Sequence, residues 1–191
     1  MYLTGAQKFD NLCKKNSPIW MGIINLTPDS FSDGGNFQSN EKALKRALEL
    51  VQNGAQILDF GGVSTRPFSE LIEPEIELQR VYKTIFNLKK QLPSDILISI
   101  DSFSPYVVNV LARDGLIDII NDQFSARCEE EITYESTLKK RNTAQIAGQY
   151  ELGYIIMHMQ GAPGTMQVNP IYEDCGKEVL SFLKERILLI G

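Results

Sequence analysis

Met21-Gly22-Ile23-Ile24-Asn25-Leu26-Thr27-Pro28-Asp29-Ser30-Phe31-Ser32-Asp33-Gly34-Gly35 is the stretch on which the reading of this chain turns. Its apolar first half, taken from Ile19 to Asn25, has the composition of a short strand buried on both faces. Asn25 stands where that strand runs out. Pro28, Asp29, Ser30, Ser32, Asp33, Gly34 and Gly35 forbid its continuation and predict a polar loop. Phe31 is the one bulky apolar residue in that loop and has no core of its own to enter. Carboxylates, hydroxyls and an exposed aromatic gathered in one loop suit a ligand; the plainer alternative is a hydrophilic connector that ends in a helix cap.

Working outward, the chain repeats this pattern of apolar strand and polar loop. Ser39 or Asn40 predicts the cap of a helix running to Asn53, with Ala43, Leu44, Ala47, Leu48 and Val51 as its apolar stripe and Gly54 as its end. Gln56 to Phe60 reads as a second strand, stopped by Gly61-Gly62. Pro74 suits a first helical turn, and Leu78, Val81, Ile85, Leu88 and Leu92 recur at helical spacing up to Pro93. Ile96 to Asp101 is a third strand, Ser104-Pro105 opens a helix that Gly115 closes, and Leu116 to Ile120 is a fourth strand. A charged stretch holding Glu129-Glu130-Glu131 and Lys139-Lys140-Arg141 leads into a helix expected to reach Gly153. Tyr154 to Met157 is a fifth strand, and Val179, Leu180, Leu183, Ile187 and Ile190 mark a last helix.

Strand–helix units of about 30 to 40 residues imply parallel pairing through crossover helices. The polar groups fall after the strands: Asn25, Gly61 to Pro67, Asp101, Asn121-Asp122 and His158. Several consecutive strand ends used together predict an α/β fold of the (β/α)₈ TIM-barrel type, whose functional face is the one at the strand C-termini. A doubly wound open sheet is the runner-up, and it would concentrate its contacts at one switch point.

Composition narrows the function. A net charge of -5 offers no basic field for nucleic acid. Cys13, Cys128 and Cys175 are few, scattered and odd in number, which suits a reducing cytoplasm better than a disulfide framework. No apolar run is long enough to span a bilayer. His158 is the only histidine, and no Cys or second His is placed to make a zinc site or a nucleophilic triad with it.

Asn25-Leu26-Thr27-Pro28-Asp29-Ser30-Phe31-Ser32-Asp33-Gly34-Gly35 resembles the first signature of the dihydropteroate synthase family, the sulfonamide-target enzymes of folate synthesis. Asp59-Phe60-Gly61-Gly62-Val63-Ser64-Thr65-Arg66-Pro67 is similar to the second. The resemblance implies a transferase that joins 6-hydroxymethyl-7,8-dihydropterin diphosphate to 4-aminobenzoate, giving 7,8-dihydropteroate and diphosphate. It places Mg²⁺ at Asn25, whose neutral oxygen is a hard ligand suited to a metal that takes the rest of its shell from water and diphosphate. Arg66 is implied as a diphosphate ligand, with Phe31, Thr65 and Pro67 closing over the aminobenzoate. Asp101 and Asn121 are implied as readers of the pterin edge, and Met157 as part of the pterin-lining surface. Arg66, Asp101 and Asp33 form the implied catalytic set. His158 is implied to line the pocket, while Asp122 is read as a support for Asn121 or a neighbouring loop. Val63 and Phe68 depart from the family pattern, where Glu and Gly are common, and put the second loop's contacts with the aniline in question.

An eight-fold barrel needs about 250 residues, and about five strand–helix units are legible here. The family's later motifs, Asp-Pro-Gly-Ile-Gly-Phe, Ser-Arg-Lys and Arg-Val-His, do not occur. The expectation is one pterin-binding barrel domain over residues 1–191 that stops before the last strands. Such a chain expressed alone is expected to aggregate or fold poorly and to lack synthase activity, and the complete barrel to form a homodimer. Two alternatives stand beside the synthase: a non-catalytic pterin-binding paralogue or fragment, and a pterin barrel of the methyltetrahydrofolate–corrinoid methyltransferase kind.

Overall fold

The computed structural model describes residues 3–27, 35–63, 72–134, 137–162 and 165–190. Thr4 opens the chain's first helix, α1 (Gly5–Cys13), with a capping box in which Thr4 and Gln7 satisfy each other's backbone amides. That helix has no counterpart in the expectations, although Thr4 and Gln7 at cap and N3 are its signature. Next come β1 (Met21–Asn25), α2 (Gly35–Gln52), β2 (Ile57–Gly61), α3 (Pro74–Lys89), β3 (Leu97–Asp101) and α4 (Pro105–Arg113). The chain continues through β4 (Ile119–Asp122), β5 (Glu130–Tyr134), β6 (Thr137–Arg141), α5 (Thr143–Tyr150), β7 (Gly153–Ile156) and α6 (Cys175–Ile190).

The main sheet runs β1-β2-β3-β4-β7, and every pair in it is parallel. Strands therefore lie side by side in the order they leave the sequence. A (β/α)₈ barrel is laid down in this way, whereas a doubly wound sheet must reverse direction partway. Its two faces bury different things. Ile24, Leu58, Phe60, Ile98, Ile100 and Ile120 pack outward on Ala43, Ala47, Val81, Ile85, Val107 and Leu111 of the covering helices. Met21, Ile57, Leu97 and Ile119 point to the inner face, where Phe9 and Leu12 of α1 close the end at which the strands begin. A side chain at Gly153 would stand 2.7 Å from the Phe9 ring, so glycine there admits the plug. The Lys8 ammonium, 2.8 Å from the Asp118 carboxylate, ties α1 to the approach of β4.

Several boundaries differ from the sequence expectation. The second helix begins at Gly35, ahead of Ser39 and Asn40. The fourth strand pairs over Ile119–Asp122 rather than from Leu116; Leu116 and Ile117 are buried, but in the turn after α4. The helix expected to run to Gly153 stops at Tyr150, where Glu151 turns left-handed at φ 51°. The charged stretch before it folds as an antiparallel hairpin, β5–β6. Glu131 lies opposite Lys140 and Glu130 opposite Arg141, so the two charge runs face each other, and Ile132 enters the core beneath. The first strand is not buried on both faces: it is a sheet edge, and its inward Ile23 is 63% exposed.

Candidate functional site

At the C-terminal ends of the strands one register row crosses the whole sheet: Asn25, Gly61, Asp101, Asn121 and Ile155. Alternation along each strand turns these residues inward. Gly61 is the small member of the row. A Cβ placed there would sit 3.4 Å from Asn25 Oδ1 and 3.7 Å from Asp101 Oδ2, so the two oxygens flank space that only glycine leaves open. Sequence reasoning named Asn25, Asp101 and Asn121, and the structure brings all three into this row. Met157 lies two residues beyond Ile155, half-buried, its backbone amide and carbonyl both bound to the Ser125 hydroxyl at 2.9 and 2.7 Å.

Asp101 is held by a residue the sequence reading passed over. Gln123 Nε2 donates to both carboxylate oxygens of Asp101, each at 2.8 Å. Burial pushes the Asp101 carboxyl up to about 7; the nearby charge of Asp59 adds to this, the Gln123 bond opposes it, and Asp122 adds a smaller push. Behind the row, Glu77 of α3 is 4% exposed, and among the described residues its Oε1 has no hydrogen-bond partner. Burial raises it to about 7, with Ser102 opposing and the charges of Asp101 and Glu130 reinforcing. Asp101 at its strand end and Glu77 on the helix behind it are thus both raised toward neutrality by burial.

The loop after β4 is built on Asp122, which is 1% exposed. Its carboxylate accepts from the Phe124 and Ala126 amides at 2.7 and 2.8 Å, from Tyr154 at 2.6 Å and from Thr143 at 2.5 Å. Ser125 and Ala126 adopt left-handed conformations, φ 53° and 59°, under that anchorage. The role expected for Asp122, support of a neighbouring loop, is the one it fills. The His158 ring lies edge-on to Phe182 of α6 at 5.0 Å and near Tyr172 at 5.9 Å. Phe31, Asp33, Thr65, Arg66, Pro67 and Phe68 lie outside the described residues.

A Mg²⁺ ion beside a diphosphate fits what is seen at Asn25. Its side-chain oxygen borders the space kept open by Gly61, and a hard neutral donor suits a metal that draws its other ligands from water and phosphate. Among the described residues no cluster of histidine, cysteine and carboxylate forms an all-protein metal cage. No helix among them is long and apolar enough to cross a membrane.

Five consecutive parallel strands with polar groups at their C-terminal ends define a (β/α)-barrel enzyme scaffold. Residues 21–190 match the pterin binding enzyme family, and the chain belongs to that family. It is 40% identical over 169 residues to the dihydropteroate synthase of Haemophilus influenzae, an overlap of 88% of this chain and 56% of that protein. The chain thus spans about half the length of the curated relatives it matches. Among solved structures, dihydropteroate synthase from Clostridium difficile, in the presence of pteroic acid, aligns with a TM-score of 0.74 and 31% identity, over 100% of this chain and 61% of that one. The Yersinia pestis enzyme with a sulfonamide drug complex aligns at 0.73 and 32%, over 91% and 57%.

Proposed function

We propose that this chain supplies the pterin-binding half of a dihydropteroate synthase, which joins 6-hydroxymethyl-7,8-dihydropterin diphosphate to 4-aminobenzoate. The observation that carries the proposal is the row Asn25–Gly61–Asp101–Asn121, in a chain whose family match runs across every strand of the sheet. Pteroic acid, present with the Clostridium difficile relative, is a pterin joined to aminobenzoate and so spans both halves of the proposed product. The reaction breaks the C–O bond to diphosphate at the pterin methylene and forms a C–N bond to the aniline. Negative charge grows on the diphosphate as it leaves, and positive charge on the pterin.

Asp101 faces the second of these charges. Held at both oxygens by Gln123, its carboxylate is pre-aimed at the mouth, where a developing cation favours its ionised form. Asn121 adds the donor and acceptor that a pterin edge requires. Asn25 would hold Mg²⁺, which when bound supplies positive charge to the diphosphate. Arg66 completes the anion site in this proposal, Asp33 adds a carboxylate beside the metal, and Phe31, Thr65 and Pro67 lie over the aminobenzoate. An aniline nitrogen is already a nucleophile, so no general base is needed. The homodimer and the cytoplasmic location belong to the same proposal, and the free thiols of Cys13, Cys128 and Cys175 agree with a reducing compartment.

Calorimetry with the pterin diphosphate and with pteroic acid tests the proposal. The two should compete, and Asp101→Asn should weaken both by roughly tenfold or more, the loss expected for one charged hydrogen bond. Absence of competition would leave only a barrel scaffold. Dihydropteroate formation is expected when the strands that follow in the relatives are supplied, and not from residues 1–191 alone. Pteroic acid binding without turnover in such a completed barrel would favour the non-catalytic pterin binder.

A further inference from the structure

One layer below the row of strand ends lies a carboxylate for which the reaction has no direct use. Asp59 sits mid-strand on the inner face, 3% exposed, in register with Ile23 on one side and Ser99 on the other. Its Oδ2 accepts a hydrogen bond from Asn121 Nδ2 at 3.0 Å. Among the described residues its Oδ1 has no hydrogen-bond partner, nor does the Ser99 hydroxyl beside it; burial pushes the Asp59 carboxyl above its ordinary value, and Ser99 and Asn121 oppose that push. A carboxylate buried in this way is a costly feature in a strand whose other residues are Ile57, Leu58, Phe60 and Gly61. Something other than packing retains it.

The bond to Asn121 supplies the reason. An amide side chain has two chemically opposite ends of nearly equal shape, and either can face outward unless a neighbour chooses. An ionised carboxylate only accepts hydrogen bonds, so it draws the Asn121 nitrogen down and leaves the carbonyl oxygen for the mouth. Resting on the pterin-binding reading above, we propose that Asp59 is a positioning residue: it fixes the amide of Asn121 with its nitrogen inward, and thereby sets which pattern of donor and acceptor the pterin meets. Asp59 lies beneath Asn121 and acts through it, and Gln123 does the equivalent for Asp101 from the next strand end. The two pterin-facing groups are each locked by a dedicated partner, which is how a recognition edge is pre-organised.

The experiment uses the full chain with pteroic acid as probe. Asp59→Ala should weaken pteroic acid by about tenfold or more, while Asp59→Asn, whose carbonyl can still accept from Asn121, should restore most of the affinity. In the double variant Asp59→Ala/Asn121→Ala the loss should equal that of Asn121→Ala alone. Wild-type affinity in Asp59→Ala, or strictly additive losses, would overturn the assignment. Independently of any ligand, the two Nδ2 protons of Asn121 should resonate far apart, with the inward one slow to exchange. Two equivalent, rapidly exchanging protons in the unsubstituted chain would overturn the positioning role by themselves. Failure of the unsubstituted chain to bind pteroic acid, with the amide signature present, would instead count against the pterin reading and leave the side-chain geometry standing.

Discussion

At the scale of single residues, the site is written in carboxylates that burial has made reluctant to ionise. Glu77 shows the consequence most simply, because it is enclosed and its Oε1 has no hydrogen-bond partner among the described residues. Its carboxyl lies near 4.5 in the open chain and is raised to about 7 in the fold. A group raised in this way contributes stability that is fully present below about pH 4.5 and is lost as the pH climbs through about 7. Glu77→Gln should therefore flatten the fall in stability between those limits and gain on the order of 1 to 3 kcal/mol at pH 8, read from denaturant midpoints at several pH values. Asp101 is shifted in the same direction, so part of the slope will survive the substitution. Arg66 carries the opposite kind of charge in the proposed site. Arg66→Ala should lower turnover in a complete barrel by roughly 10²-fold, as loss of one pre-organised charge stabiliser does. Unchanged kinetics would remove it from the diphosphate site.

At the scale of elements, the loop after β4 shows how one buried side chain organises a segment. Two amides and two hydroxyls converge on Asp122. Asp122→Ala would strand all four donors in a dry interior, at a cost of roughly 3 kcal/mol or more, and should lower the chemical denaturation midpoint while leaving α1 and β1 untouched. Conservative replacement by Asn, which keeps one acceptor, should cost less. Asp122 was legible as a support because a second polar residue follows Asn121 at a strand end. Its partners were not, since Thr143 and Tyr154 reach it only through α5 and β7. The strands themselves were readable from short apolar runs, and so was the row of Asn25, Asp101 and Asn121, because each is a polar residue closing such a run. What the pattern hid was pairing. Glu130, Glu131, Lys140 and Arg141 look like two solvated charge runs until the chain folds back and sets them opposite each other. Asp59 was hidden for a related reason. Its meaning depends on Asn121, which is 62 residues away.

At the scale of the molecule, the main sheet has two edges, β1 and β7, and an inner face that α1 closes only at the end where the strands begin. Ile23 on the inner side of β1 is largely exposed, and Leu188 at the end of α6 is 83% exposed, with Ile187 and Leu189 also open to solvent. Unpaired parallel edges offer free amides and carbonyls, and apolar surface beside them makes pairing with another chain favourable. In a closed barrel those edges would meet further strands, and the match leaves part of each relative's chain in which to provide them. Residues 1–191 by themselves should therefore self-associate, running in light scattering as oligomers whose size grows with protein concentration. Ile23→Lys places a charge beside the open edge without touching the packed outer face and should shift that distribution toward monomer. Adding the C-terminal part of the Haemophilus influenzae relative should compete with self-association by covering the same edges, and should protect the backbone amides of β1 and β7 from hydrogen exchange. A monodisperse monomer that melts cooperatively, with β1 and β7 amides already protected, would mean that the two edges are satisfied within these residues and that the sheet does not await further strands.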